Sequence, residues 1–152
     1  MQNLIKYAES KNTILIGFVI ALIGFLKSQR LLYNNDSLIF FISIILLILS
    51  LLISLLSMIP KTKQIYARRR KIVSNPNLFL FSDIACIQTK DEFIEIIQRE
   101  YFNNEELNKE EKDIAKQIYT LSNIVLEKFR AFNIAISIFT IGLILTFLTI
   151  LL

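Results

Sequence analysis

The side chains best suited to chemistry lie between residues 60 and 130, and what they suit is an anion. The segment KTKQIYARRRK holds six basic residues and no acid, with Arg68, Arg69, Arg70 and Lys71 consecutive. Arginine presents a forked donor pair that fits a phosphate, so part of this run could bind a small anionic ligand. The same run could equally rest on anionic lipid head groups, each base contributing about 1 kcal/mol. Asn75 follows in an Asn-Pro-Asn turn, and Asp83 comes next in LFLFSDIACI, where it could cap loop amides or pair with a base. Nucleophilic and metal chemistry are poorly supplied. The chain has no histidine, so the commonest general base and metal ligand is missing, and Cys86 is the single cysteine. The three glycines, Gly17, Gly24 and Gly142, all fall in apolar runs, which leaves no Gly-rich phosphate loop. The acids come as helix-surface pairs such as Glu105-Glu106 and Glu110-Glu111. The expectation is a protein that is not an enzyme and uses no cofactor or metal.

The elements that position these residues are set by hydropathy. With 54% hydrophobic residues in 152, the chain is too apolar for an ordinary water-soluble domain. Residues 37–59 and 131–152 run without a charge and are long enough to cross ~30 Å of hydrocarbon. Residues 13–26 are a shorter apolar run, but Leu4, Ile5 and Ala8 extend its helical pattern backwards. A helix from about Asn3 to Leu26 would be roughly 36 Å long. Residues 1–12 are therefore expected to form an interfacial helix leading into the first span. Of the 30 charged side chains, 24 lie between residues 60 and 130. The fold class expected is an all-α integral membrane protein, with three transmembrane helices and a small helical cytoplasmic domain, 60–130, between the second and third. The basic run after the second span puts that domain and the N-terminus in the cytoplasm.

Each span has a face of small or hydroxyl residues: Gly17, Ala21 and Gly24; Ser43, Ser50, Ser54 and Ser57; Ala131, Ala135, Gly142, Thr146 and Thr149. Such faces let helices approach closely, within one chain or between copies, and could also line a polar path. In the charged block, Thr89-Lys-Asp-Glu92 has capping-box spacing and predicts a helix over about 90–102, with Phe93, Ile97 and Tyr101 on one face. A second helix starts near Asn108 and runs into the third span. Along it Ile114, Ile118, Leu121 and Val125 make a heptad-like seam whose next position is Lys128. Lys128 could snorkel to the head groups, pair with Asp83 or Glu9, or meet a ligand. The apolar run Leu78 to Phe81 is expected to fill the space between these helices or to dock at the bilayer surface.

Four segments in order, YAESKNTILIGFVIAL, LLSMIP, NPNLFLFSDIA and QIYTLSNIVLEKFRAF, resemble the transmembrane effectors of the bacterial Pycsar antiphage system across nearly the whole chain. Glu9, Lys11, Asn75, Pro76, Phe81, Asp83, Ser122 and Lys128 are the positions that fit that family's motifs. The resemblance implies an inner-membrane effector that answers a cyclic pyrimidine mononucleotide, cUMP or cCMP, made by a partner cyclase, impairs the membrane and stops growth. A homo-oligomer in the lipid bilayer with no nucleic-acid partner is expected. Ligand contact would fall to Arg68, Arg69, Arg70, Lys71, Asn75, Asp83 and Lys128.

Overall fold

The computed structural model describes residues 2–33, 38–59, 76–103 and 105–151, with side chains for all of these except 29–33, 150 and 151. Its elements are α1 (Gln2–Tyr33), α2 (Leu38–Met58), α3 (Phe81–Ile84), α4 (Lys90–Tyr101) and α5 (Lys109–Leu151), with no strand among the described residues. Stretches of α1 (Gln2–Ser28), α2 (Leu38–Met58) and α5 (Lys109–Thr149) are long and apolar enough to cross a membrane. A helix keeps every backbone group paired within the segment where no water can reach it. The protein is thus an all-α membrane protein, as its hydropathy predicts. The chain divides into two compact units, Met1–Ile5 with Lys61–Glu127, and Lys6–Pro60 with Lys128–Leu152.

The second unit is a three-helix bundle. Its buried positions on α2 are Phe40, Ser43, Leu47, Ser50, Ser54 and Ser57, in unbroken steps of three and four. On α1 they are Ala8, Asn12, Leu15, Val19 and Leu26. On α5, Lys128, Ala135, Thr146 and Thr149 are buried, together with Gly142. That repeat is the seam of left-handed helix packing. Four of the six α2 seam residues are serine, and their small size brings the backbones close: Ser50 Oγ donates to the Ala135 carbonyl at 2.8 Å. A Cβ at Gly142 would lie 3.3 Å from the side chains of Leu46 and Leu47, so glycine permits the approach of α2 and α5 there. The first helix uses its small face differently. Gly17, Ala21 and Gly24 are exposed, and a Cβ added at either glycine meets nothing within 4 Å.

The first unit has a compact core of Ile84, Ile87, Phe93, Ile94, Leu107, Ala115 and Tyr119. Thr89 caps α4, accepting from the Glu92 amide at 3.1 Å, while the Glu92 carboxylate reaches back to the amide of Gln88. Asn108 and Glu111 make the same reciprocal exchange at the start of α5, at 2.9 and 2.8 Å. Asn103, with φ of 48°, turns the chain after α4. The seam on this part of α5 meets the sequence expectation at Val125 and lies one position later in the turns before it. Ala115, Tyr119, Ser122 and Val125 are buried, whereas Ile114 is 58% exposed. The small Ala115 lets the core pack close, and Tyr119 anchors it: its ring lies 6.0 Å from that of Phe93, and its hydroxyl donates to the carbonyls of Ile87 and Gln88 at 2.9 and 3.1 Å. The LFLF run also divides: Leu78 packs on the core, while Phe79 and Leu80 are exposed.

Tyr119→Phe strips both carbonyls of their donor while keeping the ring. It is expected to lower the unfolding free energy of the full chain in detergent by about 1–2 kcal/mol, read from the denaturant midpoint. Thr89→Ala removes the α4 cap and should cost about 1 kcal/mol in the same measurement.

Candidate functional site

Of the residues expected to meet a ligand, Arg68, Arg69, Arg70, Lys71 and Asn75 lie outside the described residues, and Asp83 and Lys128 fall in different units. Asp83 sits in the short helix α3, where its carboxylate is turned onto its own loop. Oδ2 accepts from the Asn77 amide at 3.1 Å, and Oδ1 from the Ser82 hydroxyl at 3.2 Å. Asn77 adds an Asx turn by accepting from the Phe79 amide at 3.0 Å, and the Asn77 carbonyl accepts from Leu80. Asn77 and the aspartate six residues on thus build one closed turn. Its effect is to push Phe79 outward.

Phe79 is 85% exposed, and its ring stands edge-on to Tyr101 at 6.2 Å, with an interplanar angle of 88°. Tyr101 is itself exposed, off the α4 face that carries Phe93 and Ile97 inward. An uncovered aromatic pair of this kind can stack against a planar base, an interaction worth about 1–3 kcal/mol. Phe79 belongs to the apolar run expected to fill the space between the helices or to dock at the bilayer surface, and it does not fill that space. The signal for its exposure is the Asn77 turn, which fixes the direction of the residue that follows.

In the three-helix unit, Lys128 pairs with Glu9 rather than Asp83. Its ammonium donates to Glu9 Oε1 at 2.8 Å and to the Ser57 carbonyl at 3.3 Å. Ser57 lies in the last turn of α2, whose carbonyls have no partner within the helix, so the cation meets both a carboxylate and the negative end of a helix. The Lys128 side chain is 10% exposed and that of Glu9 40%. A second cation lies alongside: Lys11 Nζ is 4.6 Å from the centre of the Tyr7 ring, 5.7 Å from Phe129 and 5.4 Å from Phe132. Cations over ring faces are attracted by the ring quadrupole. Asn12, one turn along α1 from Glu9, was not singled out by its sequence. It is 1% exposed, its Nδ2 donates to the Ala8 carbonyl, and its Oδ1 has no partner. Its place in the seam between Ala8 and Leu15 is the signal that could have found it.

A family model described as the Pycsar effector protein domain matches residues 1–152, the whole chain, in agreement with the resemblance read from the four sequence segments. No curated protein and no solved structure gives a significant match.

Asp83→Ala is expected to lower the thermal midpoint of the ligand-free chain, with a loss of about 1 kcal/mol per hydrogen bond removed. Differential scanning fluorimetry of the detergent-solubilised protein without nucleotide checks this. An unchanged midpoint would mean that the carboxylate does not hold the turn.

Proposed function

Because the chain belongs to the Pycsar effector protein domain family, we propose that this antiphage effector answers a cyclic pyrimidine mononucleotide, cUMP or cCMP, supplied by a partner cyclase, and impairs the integrity of the inner membrane until growth stops. The observation that carries the reading is a family match over the whole chain, joined to three helices of membrane-crossing length. The protein acts without catalysis, through a change in helix packing. A nucleotide drives that change only by binding the active arrangement more tightly than the resting one. The basic run after α2 keeps residues 60–130 and the N-terminus in the cytoplasm, where the cyclase product is made.

The chemistry of the ligand divides over the charged block. Arg68, Arg69, Arg70 and Lys71, with Asn75, supply donors for a cyclic phosphate. Phe79 and Tyr101 supply an exposed aromatic pair for a pyrimidine ring. Asp83 contributes through the turn that presents Phe79. Lys128 is engaged with Glu9, and meets a phosphate only by exchanging that carboxylate for it. The bare face of Gly17, Ala21 and Gly24 supports assembly into a homo-oligomer, since close helix approach in lipid uses such residues.

The test is dye release from liposomes holding the purified protein, with cUMP, cCMP or no nucleotide. Release with one nucleotide alone is the expected result and names the signal. Equal release in all three, or none, would overturn direct gating in favour of a scaffold or a protein that needs a separate sensor. Replacing Arg68, Arg69, Arg70 and Lys71 together by Ala should abolish the response while leaving membrane insertion intact. Loss of insertion instead would assign the run to lipid.

A further inference from the structure

The end of the bundle where α1 begins and α2 finishes holds more buried polar atoms than the protein satisfies. Glu9 and Ser57 meet the same ammonium, that of Lys128, so α1 and α2 run antiparallel from this level. Asn12 on α1 and Ser54 on α2 each follow by three residues on the same buried faces, one helical turn further into the bundle. Asn12 is 1% exposed and Ser54 fully buried, and neither Asn12 Oδ1 nor Ser54 Oγ has a partner; nor does Ser57 Oγ. The atoms are an amide oxygen that can only accept and two hydroxyls that can donate or accept. Burying such atoms unpaired is costly, and water, which can donate to an amide oxygen and accept from a hydroxyl, satisfies both kinds of site. Apolar packing would not call for this set. Below it Ser50 already has its partner in the Ala135 carbonyl, which makes Asn12 and Ser54 the floor of the unsatisfied layer.

The geometry points to a water-binding layer formed by Asn12, Ser54 and Ser57, closed over by the Lys128–Glu9 pair, as the place where the bundle first admits water. This rests on the membrane-impairing function proposed above, and gives it a starting point within one chain. The pair fits the part of a cover. Glu9 is solvent-reached while the Lys128 side chain is nearly buried, so the carboxylate is open to competition from outside and the ammonium is not. When Glu9 lets go, Lys128 keeps only a 3.3 Å contact to one carbonyl. The layer beneath then faces solvent through the space that the pair had filled.

The test uses the full chain in liposomes, with no nucleotide. Cys86 is changed to Ala and Ser54 to Cys, and the rate of modification by a small charged methanethiosulfonate reagent is measured. With Glu9 intact the thiol at position 54 should react slowly, and Glu9→Gln, which keeps the shape and removes the charge, should raise the rate at least tenfold. Adding Asn12→Leu to the Glu9→Gln chain should return it towards the slow value by drying the layer. A rate within twofold of the intact pair for Glu9→Gln would overturn the cover, and a rate that Asn12→Leu leaves high would overturn the water layer. A thiol placed instead at Val19, fully buried in the apolar part of the bundle, should stay unreactive in the Glu9→Gln chain. If it reacts as fast, the substitution has only unfolded the bundle and the inference fails. Because no nucleotide is used, failure of the gated dye release leaves this result standing, and the reverse is also true.

Discussion

A primary ammonium at the edge of hydrocarbon must find oxygen or pull the helix that bears it towards water, and most of the three-helix unit follows from how Lys128 solves that problem. It takes a carboxylate from α1 and a free carbonyl from the end of α2. One side chain thereby fixes the level of three helices at once. Neither partner suffices alone: a carbonyl does not neutralise the charge, and a single ion pair leaves donors unused. From that level the heptad steps proceed inward, through Asn12 and Ser54 to Ser50 and Ala135, and on to Leu47 against Gly142.

Small residues serve two ends in the same bundle. On α2 and α5 they face inward and bring helices within hydrogen-bonding distance. On α1 the Gly17, Ala21 and Gly24 face is left bare and keeps its capacity for close approach unspent. Serine on an inner seam has a further property that alanine lacks. It bonds readily to its own helix, as Ser43 does with the Phe40 carbonyl, or to a neighbour, as Ser50 does with Ala135. A seam of such residues can change partners without losing volume, whereas one of leucine would have to open a void.

Hydropathy alone made the helical class and the three spans legible, because a membrane restricts the chain to so few solutions. The caps were legible as well: Thr89 with Glu92 sits where its spacing says. What sequence misplaced were choices among equivalent apolar residues. Ile114 looked like a seam residue and Ala115 did not, yet packing against Tyr119 rewards the smaller side chain. For the Leu78 to Phe81 run, sequence left packing between helices and docking at the bilayer surface both open, and the backbone direction set by Asn77 turns Phe79 away from the core. Asp83 and Glu9 were both open as partners for Lys128. They are separated from it by 45 and 119 residues of sequence, and no local pattern spans such distances. Asn12 is illegible in sequence for a different reason: one amide in an apolar helix gives no periodic signal, and its meaning lies in its unpaired oxygen.

The separation of Glu9 and Lys128 along the chain also sets a timetable. At synthesis rates of about 5–20 residues per second, the intervening 119 residues take roughly 6–24 s to emerge. Throughout that interval the carboxylate of Glu9, and from their own synthesis the last carbonyls of α2, must find lipid head groups or water, since the ammonium that will hold them has not been made. The bundle therefore closes from its final helix, and a nascent chain stalled before residue 128 holds two helices in the membrane by their apolar contacts alone.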